Sequence, residues 1–225
     1  MRTVLLMGAS RGIGLALAQQ YRAQGWRVIA TARDPEGLAR LKDLGCEPLR
    51  LDVADPASSS GLAWSLDGEK LDLAIYLAGV MDRAPAPQPP TREAFDTLMH
   101  TNVLGAMQTI PQILPMLQEA RGTLVCISSV MGSQQETSNG SAWLYRVSKA
   151  ALNMVVRCVQ AEQPDVTVLA MHPGWVQTDM GGPQAPLTLA HSVHSLCQTI
   201  ETVRTRHDPA YRGAFLNHDG SPLPW

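Results

Sequence analysis

The sequence predicts an α/β fold in which helices cover both faces of a doubly wound parallel sheet. Short, nearly continuous apolar runs alternate along the chain with segments of helical periodicity, as expected when strands are buried on both faces. The interval between successive runs is long enough for a crossover helix, which favours parallel pairing with right-handed crossovers. The chain has 225 residues, of which 45% are hydrophobic. This length suits one large core, so we expect residues 1–225 to form a single domain.

Seven segments have the apolar pattern of strands. They are residues 3–7, 27–32, 47–53, 71–79, 123–129, 166–171 and 212–217. The helix after the first run is expected to stop at Gly25, and Asp55 has the position of an N-cap. A long helix is expected to begin at Thr91, and Pro111 and Pro115 should bend it or end it early.

A glycine-rich turn, Gly8-Ala-Ser-Arg-Gly12-Ile-Gly14, joins the first predicted strand to the first predicted helix. Such a turn offers backbone N–H groups and the positive end of a helix dipole to a phosphate. A purely structural turn is the alternative, but the strand before it and the helix after it favour phosphate binding. We expect a dinucleotide to contact Gly8, Ser10, Arg11, Gly12, Ile13 and Gly14.

Two arginines indicate which dinucleotide is bound. Arg33 ends the second predicted strand, where the adenosine ribose is expected, and Arg11 belongs to the glycine turn. Two guanidinium groups suit a 2′-phosphate, which favours NADP(H) over NAD(H). Asp34 is the counter-argument, because its carboxylate would accept a hydrogen bond from a free 2′-hydroxyl if it faced the ribose.

Other cofactor contacts are expected where later strands end, at the edge of the sheet where ligands bind in such folds. They are Asp52, Val53, Ala78, Gly79, Pro173, Gly174, Val176 and Thr178. The loop over residues 178–186 contains glycine and proline and is placed to close over a bound molecule. The proline-rich segment 84–90 is expected to be a surface loop.

Tyr145 and Lys149 have the clearest chemical use. They are four residues apart in a helical pattern, so their side chains should share one face. An ammonium one turn away would favour the phenolate and lower the pKa of the phenol toward the working range of a proton donor or acceptor. The Ser129 hydroxyl, from the end of the fifth strand, would bind the same substrate oxygen. Taken alone, the Tyr-x-x-x-Lys pattern is common, and an ordinary surface pair is the alternative.

Composition and charge limit the classes of partner. The formal net charge is −2, with 18 basic and 20 acidic residues, which indicates neither nucleic acid nor an anionic membrane. The four cysteines have no C-x-x-C spacing and are expected to be reduced, and no metal-binding pattern surrounds the histidines. The N-terminal apolar run is too short for a signal sequence or a membrane span, so we expect a cytoplasmic protein.

The order of these motifs resembles that of the short-chain dehydrogenase/reductase family over nearly the whole chain. The matching positions are Gly8-x-x-x-Gly12-x-Gly14, Asp52, Ala78-Gly79, Asn102, Ser129, Tyr145-x-x-x-Lys149 and Pro173-Gly174. The stretches that begin at Ser128, Tyr145, His172 and Asp219 look like the C-factor and sniffer-type carbonyl reductase branch. The resemblance implies a single-domain Rossmann fold with a seven-stranded parallel sheet and a nicotinamide cofactor. It also implies a catalytic tetrad of Asn102, Ser129, Tyr145 and Lys149.

The chain departs from the family pattern in three respects. Met7 replaces the usual threonine before the first glycine, and Tyr76-Leu77 replaces two asparagines before Ala-Gly. These changes are expected to leave the turn near the cofactor without its customary polar contacts. The interval between Ser129 and Tyr145 is also longer than usual, and it adds residues 133–144 over the substrate pocket.

We interpret the chain as an NADP(H)-dependent oxidoreductase that transfers a hydride between the nicotinamide and a carbonyl or secondary alcohol. By resemblance, Lys149 also holds the nicotinamide ribose, and Asn102 holds a water that leads from Lys149 to solvent. The candidates for walls of an apolar substrate pocket, with ordinary packing as the alternative, are Met131, Trp143, Trp175 and Met180.

Two other functions and the state of assembly stay open. One alternative is an NADP(H)-binding signalling or redox-sensing protein of C-factor type with incidental turnover. The other is a nucleotide-sugar epimerase or dehydratase of the extended branch, which the chain length and the glycine spacing disfavour. The helices from Thr91 and Ser141 form the usual dimer face of the family, so a homodimer or homo-oligomer is considered.

Overall fold

A parallel sheet forms the centre of this computed structural model, which describes residues 1–86, 88–206 and 208–225. Its strands are β1 Thr3–Met7, β2 Arg27–Ala32, β3 Glu47–Arg50, β4 Leu73–Tyr76, β5 Thr123–Ile127, β6 Thr167–His172 and β7 Phe215–Asn217. The spatial order is β3-β2-β1-β4-β5-β6-β7, and every pair of neighbours is parallel. The prediction of a doubly wound, seven-stranded Rossmann sheet is confirmed.

The central strand β1 shows why the strands read as unbroken apolar runs. Val4 and Leu6 belong to the core on one face of the sheet, and Leu5 and Met7 belong to the core on the other face. All four side chains are fully buried. Burial of each such side chain contributes about 1.5–3 kcal/mol, so both faces of the strand select apolar residues.

Helices pack on both faces of the sheet. They are α1 Gly12–Ala23, α2 Pro35–Asp43, α3 Pro56–Ser60, α4 Leu62–Ser65, α5 Arg92–Met99, α6 Gly105–Ala120, α7 Trp143–Glu162 and α8 Leu189–Arg206. Buried residues of α1, α2 and α8 join one core, and those of α4, α6 and α7 join the other. Asp55 caps α3 as expected, accepting a hydrogen bond from the backbone N–H of Ala57 at 3.0 Å.

Three strands end earlier than the sequence predicts. β3, β4 and β5 end at Arg50, Tyr76 and Ile127, and not at residues 53, 79 and 129. Residues 51–53, 77–79 and Ser128 leave the sheet and line a cleft at its carboxyl edge, and Ser129 follows directly after this lining. The cleft lies where the strand order reverses between β1 and β4, the usual ligand position of such sheets.

The helical region around Asn102 also differs from its prediction. α6 continues through Pro111 and Pro115 to Ala120, so the expected early end is wrong. Both prolines are exposed, so the carbonyls that they leave unbonded can face solvent. The irregularity lies instead at the π-helical turn His100–Leu104, which joins α5 to α6.

The segment 84–90 has no helix or strand among its described residues, in agreement with a loop, and Pro87 lies outside them. Within the described ranges, no helix combines the length and the apolar character needed to cross a membrane.

Candidate active site

One cleft brings together all the predicted cofactor residues except Gly174 and Val176. The predicted residues that line it are Gly8, Ser10, Arg11, Gly12, Ile13, Gly14, Arg33, Asp52, Val53, Ala78, Gly79, Tyr145, Lys149, Pro173 and Thr178. Val176 is instead buried where its backbone pairs with Leu187, and the backbone of Gly174 packs closely against the Leu187 side chain. These two residues lie behind the cleft lining, and their contact with a cofactor stays a prediction.

The glycine turn has the shape of an anion cradle. A Cβ on Gly14 would lie 2.5 Å from the carbonyl oxygen of Gly8, and a Cβ on Gly8 would lie 2.8 Å from the nitrogen of Ala78. The first turn of α1 has no side-chain cap at Arg11 and contains no acidic residue. Its backbone N–H groups therefore lack competing acceptors from side chains, as binding of a phosphate requires.

The glycine turn has polar contacts that the sequence did not reveal. Thr31 Oγ1 accepts a hydrogen bond from the N–H of Gly8 at 3.0 Å. Gly37 allows α2 to approach the turn, because a Cβ there would lie 2.8 Å from the Cβ of Ser10. Met7 leaves the turn without its customary threonine, but Thr31 on the neighbouring strand supplies a different polar contact.

Tyr76, which stands at the second departure from the family pattern, makes a buried contact outside the cleft lining. Its buried hydroxyl donates a 2.6 Å hydrogen bond to the carbonyl of Thr101, within the π-helical turn. A π turn leaves backbone groups without regular helical partners. Tyr76 therefore fixes the turn that contains Asn102. The sequence could not predict this hydrogen bond, because its two residues are 25 positions apart.

The charged residues near the end of β2 are divided between two roles. Asp34 caps α2, because its Oδ1 accepts a hydrogen bond from the N–H of Gly37 at 2.7 Å. Arg33 is exposed and lines the cleft. Arg11 lies 3.4 Å from the Asp179 carboxylate, an exposed pair that joins the glycine turn to the loop after β6. Ion pairs this exposed contribute little free energy, so the phosphate of a ligand can displace Asp179 from Arg11.

Tyr145 and Lys149 share one face of α7, as predicted. They are 7% and 4% exposed, and the Lys149 Nζ lies 5.7 Å from the centre of the Tyr145 ring. The Nζ donates a hydrogen bond to the carbonyl of Ile127 at 2.9 Å, which anchors α7 to the end of β5. Ser129 Oγ accepts from the N–H of Met131 at 3.1 Å, so the proton of the hydroxyl stays available to another acceptor.

The pKa values differ from the expected effect of lysine on tyrosine. Burial raises the pKa of Tyr145 to about 12, although the Ser129 hydroxyl acts in the opposite direction. Burial also lowers the pKa of Lys149 to about 8. In this structure the loss of hydration outweighs any attraction of the ammonium for the phenolate, so the expected lowering is wrong. At neutral pH the phenol is protonated and can donate.

Asn102 is fully buried and bonded to protein groups. Its Oδ1 accepts from the N–H of Val80 at 2.8 Å. Its Nδ2 donates to the carbonyl of Val80 and to the hydroxyl of Ser148, at 2.9 Å in both cases. The side chain therefore joins the loop after β4 to α7, and a water held by Asn102 stays a prediction.

The predicted pocket walls fall into two groups. Met131 and Trp143 pack in a small apolar cluster that contains Tyr145. Met180 lines the cleft. Trp175 is 56% exposed, and its Nε1 donates to the carbonyl of Gly181 within the loop after β6. Met131, Trp143 and Met180 therefore lie in the cluster or the cleft that contains Tyr145, whereas Trp175 lies in neither.

Metal-binding residues are not clustered in the described part of the chain. No group of three or more His, Cys, Asp and Glu side chains there could hold a metal ion. The four cysteines are free thiols, and three of them are buried.

Comparison with known proteins agrees with this geometry. Residues 2–186 match the short chain dehydrogenase family. The chain is 41% identical to C-signal of Myxococcus xanthus over 128 residues, which are 55% of this chain and 74% of that protein.

Solved structures that match the whole of this chain include two that bear on its function. The carbonyl reductase Sniffer of D. melanogaster is 27% identical, with a TM-score of 0.91 and 100% of its own chain covered. A short-chain dehydrogenase/reductase from Burkholderia multivorans with bound NADP is 30% identical, with a TM-score of 0.88 and 99% of its chain covered. The chain therefore belongs to the short-chain dehydrogenase/reductase family, in the branch of C-signal and Sniffer, and is an oxidoreductase that acts on alcohol and carbonyl groups.

Proposed function

We propose that this protein reduces a carbonyl compound, or oxidises the corresponding secondary alcohol, with NADP(H) as the partner in hydride transfer. The observation that supports this most is that a buried, protonated phenol and an uncapped glycine turn line the same cleft. The close backbone approaches at Gly8 and Gly14 leave room for a dinucleotide where side chains would obstruct it. The residues present therefore fit the cofactor that the family uses.

The proposed chemistry assigns a role to each residue of the tetrad. The nicotinamide, when bound, supplies the hydride for reduction. Tyr145 donates its proton to the substrate oxygen, which a pKa of about 12 permits throughout the neutral range. Ser129 donates a second hydrogen bond to that oxygen, because its Oγ already accepts from the backbone of Met131. In the oxidative direction the same groups act in reverse.

Lys149 and Asn102 are proposed to support this proton transfer. Lys149 adjoins Tyr145 on the buried face of α7 and is the proposed contact to the nicotinamide ribose. A Cβ on Gly79 would lie 3.5 Å from Lys149 Nζ and 3.4 Å from Asn102 Oδ1, so these three residues adjoin one another. We propose that a solvent-connected water near Asn102 restores the proton through Lys149.

The cofactor is proposed to be NADP(H), with NAD(H) as the weaker ligand. Asp34 uses its Oδ1 to cap α2, which directs one carboxylate oxygen to the helix and weakens the argument for NAD(H). Arg33 lines the cleft and Arg11 has only an exposed partner, so both can bind a 2′-phosphate.

Replacement of Arg33 tests the choice of cofactor. Because a hydrogen bond to a charged group contributes about 1.5–3 kcal/mol, Arg33→Ala should lower the affinity for NADPH by roughly tenfold to hundredfold. NADH should bind almost as before, because it has no 2′-phosphate. Fluorescence titration of both dinucleotides measures this, and Arg50→Ala is the control because Arg50 is also exposed at a strand end but does not line the cleft. Equal weakening of NADPH and NADH would contradict the assignment.

The function itself is tested with a panel of aldehydes and ketones. Purified protein and NADPH should lose absorbance at 340 nm only when a carbonyl compound is present, with one alcohol formed for each NADPH oxidised. Ser129→Ala is the matched control, because it should retain NADPH binding and lose most of the turnover.

A second function has one observation in its favour, the 41% identity to C-signal over part of the chain. In that case the protein would bind NADP(H) as a signalling or redox-sensing protein, and its turnover would be incidental. The same panel separates the two: micromolar NADPH binding without carbonyl-dependent oxidation would support signalling and count against the reductase.

We also propose that the chain forms a homodimer through α6 and α7. Met107, Val147 and Met154 are 51–63% exposed on these helices. Val147 and Met154 are seven residues apart and lie on one face of α7, so a second copy could bury them together. Sedimentation velocity tests this, and a monomer at micromolar concentration would contradict it. A cytoplasmic location stays a prediction.

A further inference from the structure

The buried face of α7 carries a third polar side chain in line with Tyr145 and Lys149. Asn153 lies four residues beyond Lys149 and is 3% exposed. Residues at this spacing lie above one another on a helix, so all three side chains face the segment that follows β5. Tyr145 and Lys149 belong to the proposed chemistry, whereas Asn153 has no assigned role.

Asn153 holds both sides of the turn that contains Ser129. Its Oδ1 accepts a 2.6 Å hydrogen bond from the hydroxyl of Ser128, which is 2% exposed. Its Nδ2 faces the carbonyl of Gly132 at 3.4 Å. Ser128 directly precedes Ser129, and Gly132 ends the short 3₁₀ turn that Ser129 begins. The one amide therefore connects the start and the end of this turn to α7.

The conformation of the turn decides where the Ser129 hydroxyl can point. Ser129 has an extended backbone, and its Oγ accepts from the N–H of Met131 inside the turn. If Ser128 and Gly132 shifted, that N–H would shift with them, and the direction of the hydroxyl proton would change. Gly132 has no room to move toward the helix, because even a Cβ there would lie 2.8 Å from the backbone of Lys149.

We infer that Asn153 is a positioning residue, which acts through Ser128 and Gly132 to aim the Ser129 hydroxyl at the substrate oxygen. This inference rests on the proposed reductase function for its effect on turnover. A buried amide with only a structural role would affect stability, but its effect on turnover would not depend on Ser129. The two possibilities therefore differ in a measurable coupling.

A double-mutant cycle on turnover tests the inference. Since a small misplacement of a reacting group can cost up to about hundredfold in rate, Asn153→Ala should lower kcat about tenfold to hundredfold. The KM for NADPH should change less than roughly twofold, because the glycine turn is untouched. In a Ser129→Ala background, Asn153→Ala should lower kcat by less than about twofold, because the hydroxyl that Asn153 positions is already absent. Ser128→Ala, a smaller change, should behave in the same way.

Thr199→Val is the matched control. It removes a buried hydroxyl that donates to the carbonyl of His218 at 2.8 Å, outside the cleft lining, and should leave kcat unchanged. The inference is overturned if Asn153→Ala and Ser128→Ala retain the kcat of the parent protein. It is equally overturned if their effects on kcat are as large without the Ser129 hydroxyl as with it.

Hydrogen exchange at the amide of Met131 tests the same inference without turnover. This amide should exchange faster in Asn153→Ala and Ser128→Ala than in the parent protein, and at the parent rate in Thr199→Val. Unchanged exchange at Met131 would overturn the inference. If the parent protein reduces no carbonyl but exchange at Met131 responds as expected, the reductase function fails and the structural part of the inference stands.

Discussion

The glycine turn and the buried face of α7 line the same cleft but are held in place by different means. At the turn, the backbone comes within a distance that excludes any Cβ on Gly8 or Gly14. Along α7, buried side chains make the contacts, as in the hydrogen bond from Lys149 Nζ to the carbonyl of Ile127. The glycine turn owes its shape to the absence of side chains. The buried face of α7 owes its shape to hydrogen bonds made by side chains.

This difference teaches that recognition and chemistry should be separable. An added methyl group at the turn should disturb binding of the dinucleotide and leave the proton donor intact. Loss of the Tyr145 hydroxyl on α7 should do the reverse. Gly14→Ala and Tyr145→Phe test this separation, because each should change one of the two quantities, NADPH affinity or kcat, and leave the other nearly constant. Lys149→Met and Tyr76→Phe test the buried contacts that hold the α7 side of the cleft.

The largest effect is expected for Gly14→Ala. The new Cβ would lie 2.5 Å from the carbonyl oxygen of Gly8, so the backbone of the turn must move. We expect NADPH to bind about hundredfold more weakly, while kcat at saturating NADPH stays within roughly threefold of the parent value. Gly61→Ala is the control, because no atom lies within 4 Å of its added Cβ. A large loss of kcat with unchanged affinity would reverse the comparison.

A pH-dependent effect is expected for Lys149→Met. Burial lowers the pKa of Lys149 to about 8, whereas an unfolded lysine titrates near 10.4, so the folded state binds fewer protons between these values. The parent protein should therefore gain stability relative to the variant as the pH rises from 7 to 10. The expected gain is about 2–3 kcal/mol. Urea unfolding at both pH values measures it, and a pH-independent difference would show that the ammonium is not buried as described.

A smaller effect is expected for Tyr76→Phe. This change leaves the carbonyl of Thr101 without its donor inside the π-helical turn, and we expect a loss of about 1–2 kcal/mol in the free energy of unfolding. Tyr21→Phe is a matched control, because the Tyr21 hydroxyl is also buried but has no oxygen acceptor within the described ranges, only the neighbouring Cys197 thiol, a weak partner. Similar losses for both variants would mean that the bond to Thr101 contributes nothing.

The sequence predicted the parts of the structure that depend on neighbours along the chain. The apolar runs predicted seven strands, and the spacing of Tyr145 and Lys149 predicted their shared face. The contacts of Thr31 with Gly8 and of Tyr76 with Thr101 join residues 23 and 25 positions apart. Neither residue type signals its partner, so the sequence could not indicate that Thr31 contacts the glycine turn or that Tyr76 contacts the π-helical turn.

Burial explains the other error, the expected pKa of Tyr145. The spacing of Tyr145 and Lys149 indicates that an ammonium is near a phenol. It does not indicate how much hydration the two groups lose on folding, and this loss determines the pKa. The early strand ends have a related cause: Leu51, Val53, Leu77 and Ala78 are as apolar as strand residues, yet they line the cleft. Hydropathy does not distinguish a strand from an apolar wall of a binding site.

Tyr145→Phe tests the central claim most directly when NADPH affinity and turnover are measured on the same preparation. The change removes only the phenolic oxygen from a side chain that is 7% exposed, so the cleft should keep its shape. The account predicts an unchanged Kd for NADPH and a loss of kcat of at least about hundredfold with the best carbonyl substrate. Retained turnover would contradict the account, because it would show that another group delivers the proton.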